Sequence, residues 1–294
     1  MHPQAAKSRL ALGTVQFGLP YGIANCDGQV PQAEAARIIA CGREHGLDTL
    51  DTATAYGESE RRLGEIGVGD WRVVSKLPPL PEDCRDVHAW VEHSARSSLE
   101  RLRTPLLYGL LVHRCANLAS ARGAELYTAL QALKQRGLVR RIGASVYGPE
   151  ELEAVAHFSL DLVQAPFSIV DRRLATSGWL TRLKAGGTEV HTRSVFLQGL
   201  LLLASEARPA QFARWQQLWD AWERWLAVSG CTRTQACLGF ALRYPQIDRV
   251  VIGVDNVAQL TTAVSAALPL PEEPPPELSC VDPELIEPSR WRLH

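Results

Sequence analysis

Residues 47–57 read LDTLDTATAYG, and this stretch joins a short apolar strand to a loop rich in small residues. The strand follows directly on Gly46, which ends a segment with helical spacing of apolar residues that starts at Pro31. Proline is favoured at the first position of a helix, and glycine is favoured just past its last turn. The same corner recurs at Gly137, where a second helical segment meets the strand-like residues 139–145. A helix that stops at glycine and leads at once into a buried strand is typical of α/β proteins.

Strand-like and helical segments alternate along most of the chain. Eight segments have the length and apolar content of strands: 9–13, 47–51, 71–76, 106–113, 139–145, 162–165, 189–195 and 249–253. Helical patterns separate them, including one that Asp86 can cap and a last one over residues 257–267. Eight strands that alternate with helices favour a closed parallel (β/α)₈ barrel over an open doubly wound sheet. We therefore expect an α/β fold with one barrel domain over residues 1–267.

The composition changes after residue 267, and residues 268–294 contain seven prolines. Proline removes a backbone donor and fixes φ, so this tail cannot form regular helix over most of its length. A disordered chain end is one interpretation of such a segment. We favour a tail that docks on the barrel, because apolar residues that could anchor it recur along it: Leu278, Val281, Leu285, Ile286 and Trp291.

Composition and charge argue against several classes of protein. The chain has 294 residues, of which 46% are hydrophobic and 21% charged, and its formal net charge is −1. No polybasic stretch occurs, so neither nucleic acid nor an anionic membrane is an expected partner. The apolar run at residues 200–204 is too short to span a bilayer, and the amino terminus lacks an apolar secretion signal. Seven cysteines without a CxxC pair indicate reduced thiols, so we expect a cytoplasmic protein.

Four polar residues stand at or just beyond the carboxyl ends of three successive predicted strands. Asp51 ends the second strand and Tyr56 follows it, while Lys76 ends the third strand and His113 the fourth. In a parallel barrel, the carboxyl ends of all strands open on one mouth, where barrel enzymes carry their active sites. Alone, each residue type is usually half of an ion pair or part of surface packing. Their combination on neighbouring strands instead predicts a proton-transfer site.

These residue types suit the transfer of a proton to or from an oxygen atom. A tyrosine phenol is a weak acid at neutral pH unless its phenolate is stabilised, which a neighbouring protonated lysine does. Asp51 would hold Lys76 in place, and His113 would hydrogen-bond the substrate oxygen. The side chains supply neither electrons nor a nucleophile. They therefore fit a reaction in which a bound cofactor delivers hydride and Tyr56 delivers the proton.

One stretch also resembles a known signature. Residues 51–65 read DTATAYGESERRLGE and are similar to the signature of the aldo-keto reductase family, with its Asp-Thr-Ala, Tyr-Gly, Ser-Glu and Leu-Gly elements in order. Lys76 stands in a Ser-Lys-Leu context and His113 in a Leu-Val-His context, as in that family. The resemblance covers residues 9–267 and implies a TIM barrel, a nicotinamide cofactor (NADPH or NADH) and reduction of a small-molecule carbonyl compound. The implied catalytic tetrad is Asp51, Tyr56, Lys76 and His113.

Several positions resemble the cofactor-binding residues of the same family. Gly13 and Thr14 fit the glycine motif of the first strand, which lines the cofactor site. Ser145 and Gln164, at the ends of the fifth and sixth strands, match residues that bind the nicotinamide carboxamide. Val146 stands where the family has an asparagine, so one amide contact is missing or replaced.

Residues 192–201 read TRSVFLQGLL and resemble the loop that wraps the cofactor pyrophosphate in this family. Ser194 and Gly199 fit that loop. Arg193 stands where the family has an aromatic residue that stacks on the nicotinamide. A guanidinium plane can also stack on a ring, so the resemblance places Arg193 in the cofactor site.

Residues 252–260, IGVDNVAQL, bear on the choice between NADPH and NADH. NADPH-preferring relatives often carry a basic residue where Gly253, Asp255 or Gln259 stands here. A carboxylate at Asp255 would repel a 2′-phosphate and could accept hydrogen bonds from ribose hydroxyls instead. We therefore hypothesise a weakened preference for NADPH and use of NADH. The alternative is that Asp255 caps the last helix, where an acidic residue is favoured.

Two further functions stay open beside carbonyl reduction. Residues 15–25, VQFGLPYGIAN, resemble a bacterial subgroup of the family that is often associated with sugar metabolism. The same site run in reverse would make an NAD-dependent sugar dehydrogenase. Some barrels of this family, such as potassium-channel β subunits, act as cofactor-sensing partners, and the departures at Val146 and Arg193 are compatible with slow turnover. The complete tetrad favours the reductase.

Other patterns predict packing or argue against a chemistry. Four tryptophans at helical spacing indicate a buried helix face, with the lining of a substrate pocket as the alternative: Trp215, Trp219, Trp222 and Trp225. The histidines show no HxH or HExxH spacing, so no metal site is expected.

Overall fold

A parallel barrel of eight strands forms the centre of the molecule. The computed structural model describes residues 6–291, and within them the strands are hydrogen-bonded in chain order, with the last closing on the first. The strands are β1 (Leu10–Gly13), β2 (Thr49–Asp51), β3 (Arg72–Leu77), β4 (Leu107–Val112), β5 (Val139–Ser145), β6 (Leu162–Pro166), β7 (Glu189–Arg193) and β8 (Arg249–Gly253). Gly13 pairs with Asp51 on one side and with Gly253 on the other. The expected (β/α)₈ TIM barrel is confirmed.

Helices connect the successive strands. In chain order they are α1 (Gln32–Glu44), α2 (Ser59–Ile66), α3 (Val87–Leu102), α4 (Cys115–Leu118), α5 (Gly123–Gln135), α6 (Pro149–Ala154), α7 (Arg173–Thr176), α8 (Trp179–Ala185), α9 (Gln216–Ser229), α10 (Arg233–Leu242), α11 (Val257–Ala266) and α12 (Pro283–Ile286). Among residues 6–291, no helix combines the length and the apolar character that crossing a membrane requires.

Local sequence signals account for most helix boundaries. The carboxylate of Asp86 accepts a hydrogen bond from a backbone amide in the first turn of α3 at 2.9 Å, so Asp86 caps this helix as expected. Gly46 and Gly137 have φ angles of 78° and 74°, which glycine adopts without strain just past a helix end. Pro31 departs from the expectation by one residue. Its ψ of 151° keeps it extended, so α1 begins at the next residue.

Inward-facing side chains of the strands build two layers inside the barrel. Val74, Leu111 and Leu162 are fully buried and form a small apolar cluster of their own. Because strand side chains alternate in direction, the residues two positions further along share this inward face. Those residues are Lys76, His113 and Gln164. The apolar layer therefore lies directly below the polar side chains of the mouth.

A larger apolar core lies between the strands and the surrounding helices. Leu10 and Leu12 of β1 belong to it, together with Ile38 and Ile39 of α1 and Val91 of α3. Each is fully buried, and burial of a side chain of this size contributes roughly 1.5–3 kcal/mol. This core makes the barrel the rigid support on which the loops of the mouth are carried.

Part of the carboxyl-terminal tail packs against the rest of the molecule. Leu278, Leu285 and Ile286 are at most 1% exposed. The ring of Trp291 meets Phe212 edge to face at 4.9 Å between centroids, and its Nε1 donates to the Leu285 carbonyl at 3.1 Å. Val281 is 75% exposed and is therefore not one of the anchors.

The tryptophan stripe, which consists of three residues of α9 and of Trp215 just before it, is part of the apolar core. Trp219 and Trp222 are buried, and Trp215 and Trp225 are half-buried against the same cluster. In the described part of the chain, none of the four lines the cavity at the mouth of the barrel. The expected packing role is confirmed.

Candidate active site

A cavity of about 840 Å³ opens at the carboxyl ends of the strands. Its lining includes all fourteen residues that the sequence assigns to catalysis or to the cofactor: Asp51, Tyr56, Lys76, His113, Gly13, Thr14, Ser145, Gln164, Arg193, Ser194, Gly199, Gly253, Asp255 and Gln259. A volume of this size is typical of small-molecule and cofactor sites. The structure therefore brings the predicted residues together, while the role of each stays a prediction.

The ammonium group of Lys76 lies at the centre of the polar cluster. Lys76 is 1% exposed, and Nζ donates to both carboxylate oxygens of Asp51 at 2.8 Å. Nζ also lies 2.9 Å from the Thr52 carbonyl oxygen and 3.2 Å from the Tyr56 hydroxyl. Burial acts to lower the pKa of Lys76, but the Asp51 carboxylate and the Tyr56 phenol outweigh it and leave the pKa above its usual value. Lys76 therefore stays charged although it is buried.

A second polar group reaches the same carboxylate from β6. Gln164 is fully buried and donates from Nε2 to Asp51 Oδ1 at 2.6 Å. The hydroxyl of Ser145 lies 3.5 Å from Gln164 Oε1. The resemblance to the family implies only a cofactor role for Gln164 and Ser145. In the structure, Gln164 also holds the carboxylate that pairs with the buried lysine.

The loop after β2 presents Tyr56 to the cavity. The Ser59 amide donates to the Tyr56 carbonyl at 3.0 Å. A Cβ atom at Gly18 would lie 1.7 Å from that same carbonyl oxygen, so only glycine fits there. The loop after β1 therefore packs directly against the segment that carries Tyr56. The Tyr56 ring meets the His113 ring edge to face, with centroids 6.0 Å apart.

His113 faces the cavity as a neutral imidazole. Burial lowers its pKa to about 4, and the positive charges of Lys76 and Arg193 act in the same direction. At pH 7 the ring can therefore donate one hydrogen bond and accept another. Within residues 6–291, neither ring nitrogen has a hydrogen-bond partner, and His113 is part of the cavity lining.

The loop after β8 places Asp255 in the cavity wall. Its Oδ1 accepts a hydrogen bond from Asn25 Nδ2 at 3.1 Å, and its Oδ2 lies 3.4 Å from Gln259 Nε2. The residue that caps α11 is Asn256, whose Oδ1 accepts from the Gln259 amide at 2.9 Å. The alternative interpretation, in which Asp255 caps this helix, is therefore wrong. Burial raises the pKa of Asp255.

Loops after β1 and β7 meet over the cavity. Gln198 donates from Nε2 to the Tyr21 hydroxyl at 3.0 Å, and its carbonyl accepts from the Ile23 amide at 3.1 Å. Ser194, Leu197 and Gln198 have φ angles of 64°, 49° and 53°, a left-handed conformation that is uncommon outside glycine. Backbone strain of this kind clusters at functional sites.

Arg193, the last residue of β7, lies against the loop after β5. Its guanidinium carbon stands 4.6 Å from the centre of the Tyr147 ring. Nη2 donates to the Val146 carbonyl at 3.2 Å, and Nη1 donates to the Ser194 hydroxyl at 3.3 Å. The Val146 side chain is fully buried, whereas Tyr147 lines the cavity. Tyr147 was not predicted from the sequence, because it lies just beyond the motif that ends at Val146. Tyr21 and Asn25 belong to the stretch 15–25, whose resemblance assigns no role to single residues.

Metal-binding groups do not converge in this site. In the part of the chain that the structure describes, no three His, Cys, Asp or Glu side chains approach one another as ligands of one ion would.

Comparison with known proteins shows the family of this chain. A sequence model described as the Aldo/keto reductase family matches residues 9–278. The chain belongs to this family, as the resemblance implied. It is therefore an oxidoreductase that acts on small-molecule carbonyl compounds.

Individual relatives agree with this membership. The 6-dehydroglucose reductase of Novosphingobium aromaticivorans is 25% identical over 283 residues, which cover 90% of this chain and 89% of that protein. The chloroplastic pyridoxal reductase of Arabidopsis thaliana is 30% identical over 164 residues, which cover 49% of this chain and 43% of that protein. The holo form of an aldo-keto reductase from Bacillus halodurans shares the fold, with a TM-score of 0.72 and 21% identity over 92% of this chain and 90% of that one.

Proposed function

We propose that the protein is an NAD(P)H-dependent reductase of an aldehyde or a ketone, with Tyr56 as the proton donor. The observation that carries this proposal is the position of the Lys76 ammonium group, which contacts both the Asp51 carboxylate and the Tyr56 hydroxyl. Tyr56 and His113 line the same cavity, so a substrate oxygen can contact both.

Tyr56 transfers its phenolic proton to the carbonyl oxygen as negative charge develops there. The phenolate left behind is stabilised by Lys76, whose ammonium lies 3.2 Å from the phenol oxygen. Asp51 keeps Lys76 charged and in place. Gln164 of β6 donates a hydrogen bond to the Asp51 carboxylate and so fixes its position. A positioned acid of this kind contributes about 10²–10⁴-fold to a rate.

His113 orients the substrate oxygen. Since the imidazole is neutral at pH 7, it donates a hydrogen bond without carrying a charge that would compete with Lys76. An oxygen held between this ring and the Tyr56 hydroxyl is polarised before the proton moves.

The cavity fits a nicotinamide cofactor, which supplies a hydride to the carbonyl carbon when bound. Ser145 and Gln164 offer a hydroxyl and an amide beside the tetrad for the carboxamide, and Arg193 offers a flat group beside the ring. Gly13, Thr14, Ser194 and Gly199 line the remaining wall. Gln16 supports the presence of a ligand here, because its buried Oε1, in a side chain of the cavity wall, has no hydrogen-bond partner within residues 6–291.

The choice of cofactor depends on the residues after β8. Gly253, Asp255 and Gln259 line the cavity, and among them only Asp255 is charged. A carboxylate there repels a 2′-phosphate and accepts hydrogen bonds from ribose hydroxyls. The proposed enzyme therefore binds NADH at least as tightly as NADPH. Fluorescence titration of the purified protein with each cofactor measures this ratio, and a clear preference for NADPH would refute the role given to Asp255.

A sugar-derived carbonyl compound is the substrate class that we propose. The relative named 6-dehydroglucose reductase aligns over most of both chains, and it supports this choice. Rates should be measured in both directions, with NADH and aldehydes and with NAD and aldoses. Turnover only with NAD and aldoses would favour the sugar dehydrogenase instead.

Replacement of Tyr56 by phenylalanine tests the proton donor. The variant Tyr56→Phe should lose about 10²–10⁴-fold in kcat while its affinity for NADH stays nearly unchanged. Tyr127→Phe is a matched control, because Tyr127 is not in the cavity lining and, among the described residues, its hydroxyl bonds only to the Ser159 carbonyl, at 2.9 Å. If Tyr56→Phe kept the wild-type kcat, another group would have to donate the proton.

A further inference from the structure

Two cations line the cavity within residues 6–291, Lys76 and Arg193, and of these Arg193 lacks a partner of opposite charge. Within residues 6–291, Arg193 forms no ion pair with a carboxylate, and its acceptors are the neutral oxygens of Val146 and Ser194. Lys76, the other cation of the lining, is paired with Asp51. An arginine in a half-buried cavity with no counter-charge is available to an anionic ligand.

The guanidinium group of Arg193 is held in a fixed orientation. Tyr147 supports one face of the plane at 4.6 Å, and two of the five N–H groups bond to the protein. The other three N–H groups form no hydrogen bond within the described residues. Because the plane is held before a ligand arrives, little side-chain entropy is lost on binding, and the planar fork matches a carboxylate.

The charge of Arg193 acts at the place where the substrate oxygen must lie. It is one of the charges that lower the pKa of His113, after burial and after Lys76. It also acts to lower the pKa of Tyr21, which burial and the phenol of Tyr56 together raise above the usual value. Arg193 thus lies within electrostatic range of the proposed hydrogen-bond donor and of the loop that covers the cavity.

We propose that Arg193 binds a carboxylate of the substrate, so that the preferred substrates are carbonyl compounds that also carry a carboxylate, such as sugar acids. This inference rests on the proposed function and names its substrate class. A carboxylate carries one negative charge and so matches the single unpaired cation. A phosphate, which is close to a dianion at pH 7, would keep an uncompensated charge in the half-buried cavity. The stacking of Arg193 on the nicotinamide uses the face of the guanidinium, whereas carboxylate binding uses its edge, so the two roles are compatible.

The test compares substrates that differ in one carboxylate. 4-Oxobutanoate and butanal serve as the pair, and the ratio of their kcat/KM values is the readout. Effects of a substitution on cofactor binding or proton transfer cancel in this ratio, because both substrates share them. Glyceraldehyde 3-phosphate and glyceraldehyde form a second pair, which reports on phosphate.

The wild type should prefer 4-oxobutanoate by tenfold or more, since a hydrogen bond to a charged group is worth about that much. Arg193→Met should bring the ratio close to one, and Arg193→Lys should retain part of the preference. Arg114→Met is the control, since Arg114 is exposed and outside the cavity lining while its charge still acts on His113. An unchanged ratio in Arg193→Met would overturn the inference, as would an equal loss in Arg114→Met. A preference confined to the phosphate pair would also overturn it.

A binding measurement separates failure of this inference from failure of the proposed function. Calorimetry with butanoate, which carries one carboxylate and no aldehyde or ketone group to reduce, is carried out on the wild type and on Arg193→Met in the presence of NAD. Binding to the wild type that weakens tenfold or more in Arg193→Met supports the carboxylate site even if no aldehyde is turned over. No difference between the two proteins overturns the inference, whether or not carbonyl reduction is observed. If Arg193→Met instead weakens only NADH binding, the residue serves the cofactor alone.

Discussion

Lys76 carries its charge where water does not reach it. Within the described residues, this charge is compensated by the oxygens around Nζ, of which the two of Asp51 lie closest at 2.8 Å. Removing one member of a buried pair leaves the other as an uncompensated charge, which costs about 3–5 kcal/mol. In the proposed enzyme, replacing Lys76 also removes the group that stabilises the Tyr56 phenolate. The effect of Lys76 on the free energy of unfolding should therefore be separable from its effect on activity.

We predict that Lys76→Met lowers kcat by at least about 10²-fold and lowers the free energy of unfolding by about 3–5 kcal/mol. The double variant Asp51→Asn/Lys76→Met should regain most of that stability, because no buried charge is left, but none of the turnover. Urea unfolding and single-turnover rates measure the two effects. A double variant as unstable as the single one would show that the ion pair stabilises the barrel in itself.

His113 should make stability depend on pH over a defined window. Its pKa is about 4 when folded and 6.5 in the unfolded chain, so the unfolded chain binds more protons between these values. The contribution of His113 to the free energy of unfolding is therefore present in full above about pH 6.5, and it is lost as the pH drops toward 4. The loss is at most about 3 kcal/mol, and solvent access to the ring reduces it.

The variant His113→Gln should lack this part of the pH dependence. Urea unfolding of both proteins from pH 4 to 8 gives the difference between their free energies of unfolding. The wild type should lose stability relative to the variant only below about pH 6.5. In the same range, kcat/KM of the wild type should show no inflection near 6.5, since His113 stays neutral. An inflection there that disappears in His113→Gln would mean that the imidazole titrates in the folded protein.

At the scale of elements, the loop after β1 closes one side of the cavity. It is joined to the loop after β7 by the hydrogen bond between Gln198 and Tyr21, and to the loop after β8 by the one between Asn25 and Asp255. A cofactor bound beneath these loops, as we propose, would have to break such contacts to leave. Each neutral hydrogen bond contributes about 0.5–1.5 kcal/mol.

We predict that Tyr21→Phe, which removes only the hydroxyl, raises the dissociation rate of NADH about two- to tenfold. Stopped-flow displacement of bound NADH measures this rate. Tyr127→Phe makes the same chemical change in α5, outside the cavity lining, and should leave the rate as it is. Equal rates in all three proteins would indicate that the loops open without breaking the Tyr21 contact.

An interaction can be predicted from sequence more easily when the residues that form it are close together along the chain. Strands and their polar ends follow from short apolar patterns, which is why Asp51, Lys76 and His113 could be placed at one mouth. The hydrogen bond from Gln164 to Asp51 joins positions 113 residues apart, and no local pattern encodes it. The contact between Arg193 and Tyr147 likewise depends on how the loops after β7 and β5 converge.

Neighbouring residues of similar chemistry present a different difficulty. Asp255 and Asn256 are both good helix caps, so the sequence cannot choose between them. The backbone decides: Asn256 is extended, with φ of −156° and ψ of 168°, and directs its side chain to the first turn of α11. Asp255 is then free to accept the hydrogen bond from the loop after β1. Two adjacent residues thus have different roles, because Asn256 caps the helix and Asp255 lies in the cavity wall.

At the scale of the whole molecule, a polar network ties strands together at the amino end of the barrel. Glu189 of β7 accepts a hydrogen bond from the Tyr108 hydroxyl of β4 at 2.6 Å, and it lies 2.8 Å from Arg141 of β5. His191 Nε2 stands 2.8 Å from the other carboxylate oxygen. This end of the barrel lies away from the cavity, so the network bears on stability and not on the proposed chemistry.

Glu189 should therefore govern the acid limit of stability. Burial acts to raise its pKa, but the hydrogen bonds from His191 and Tyr108, together with the charge of Arg141, outweigh it and lower the pKa to about 2. The stabilisation is complete above the unfolded value of 4.5 and is lost as the pH falls to about 2, by roughly 3 kcal/mol in all. We predict that Glu189→Gln is less stable than the wild type at pH 6 and that the difference declines below pH 4.5, measured by urea unfolding. Glu206→Gln, at an exposed position, should show no such decline. A difference for Glu189→Gln that stays constant from pH 6 to 3 would mean that the side chain contributes by packing and hydrogen bonding alone, without the stabilised charge that ties β4, β5 and β7 together.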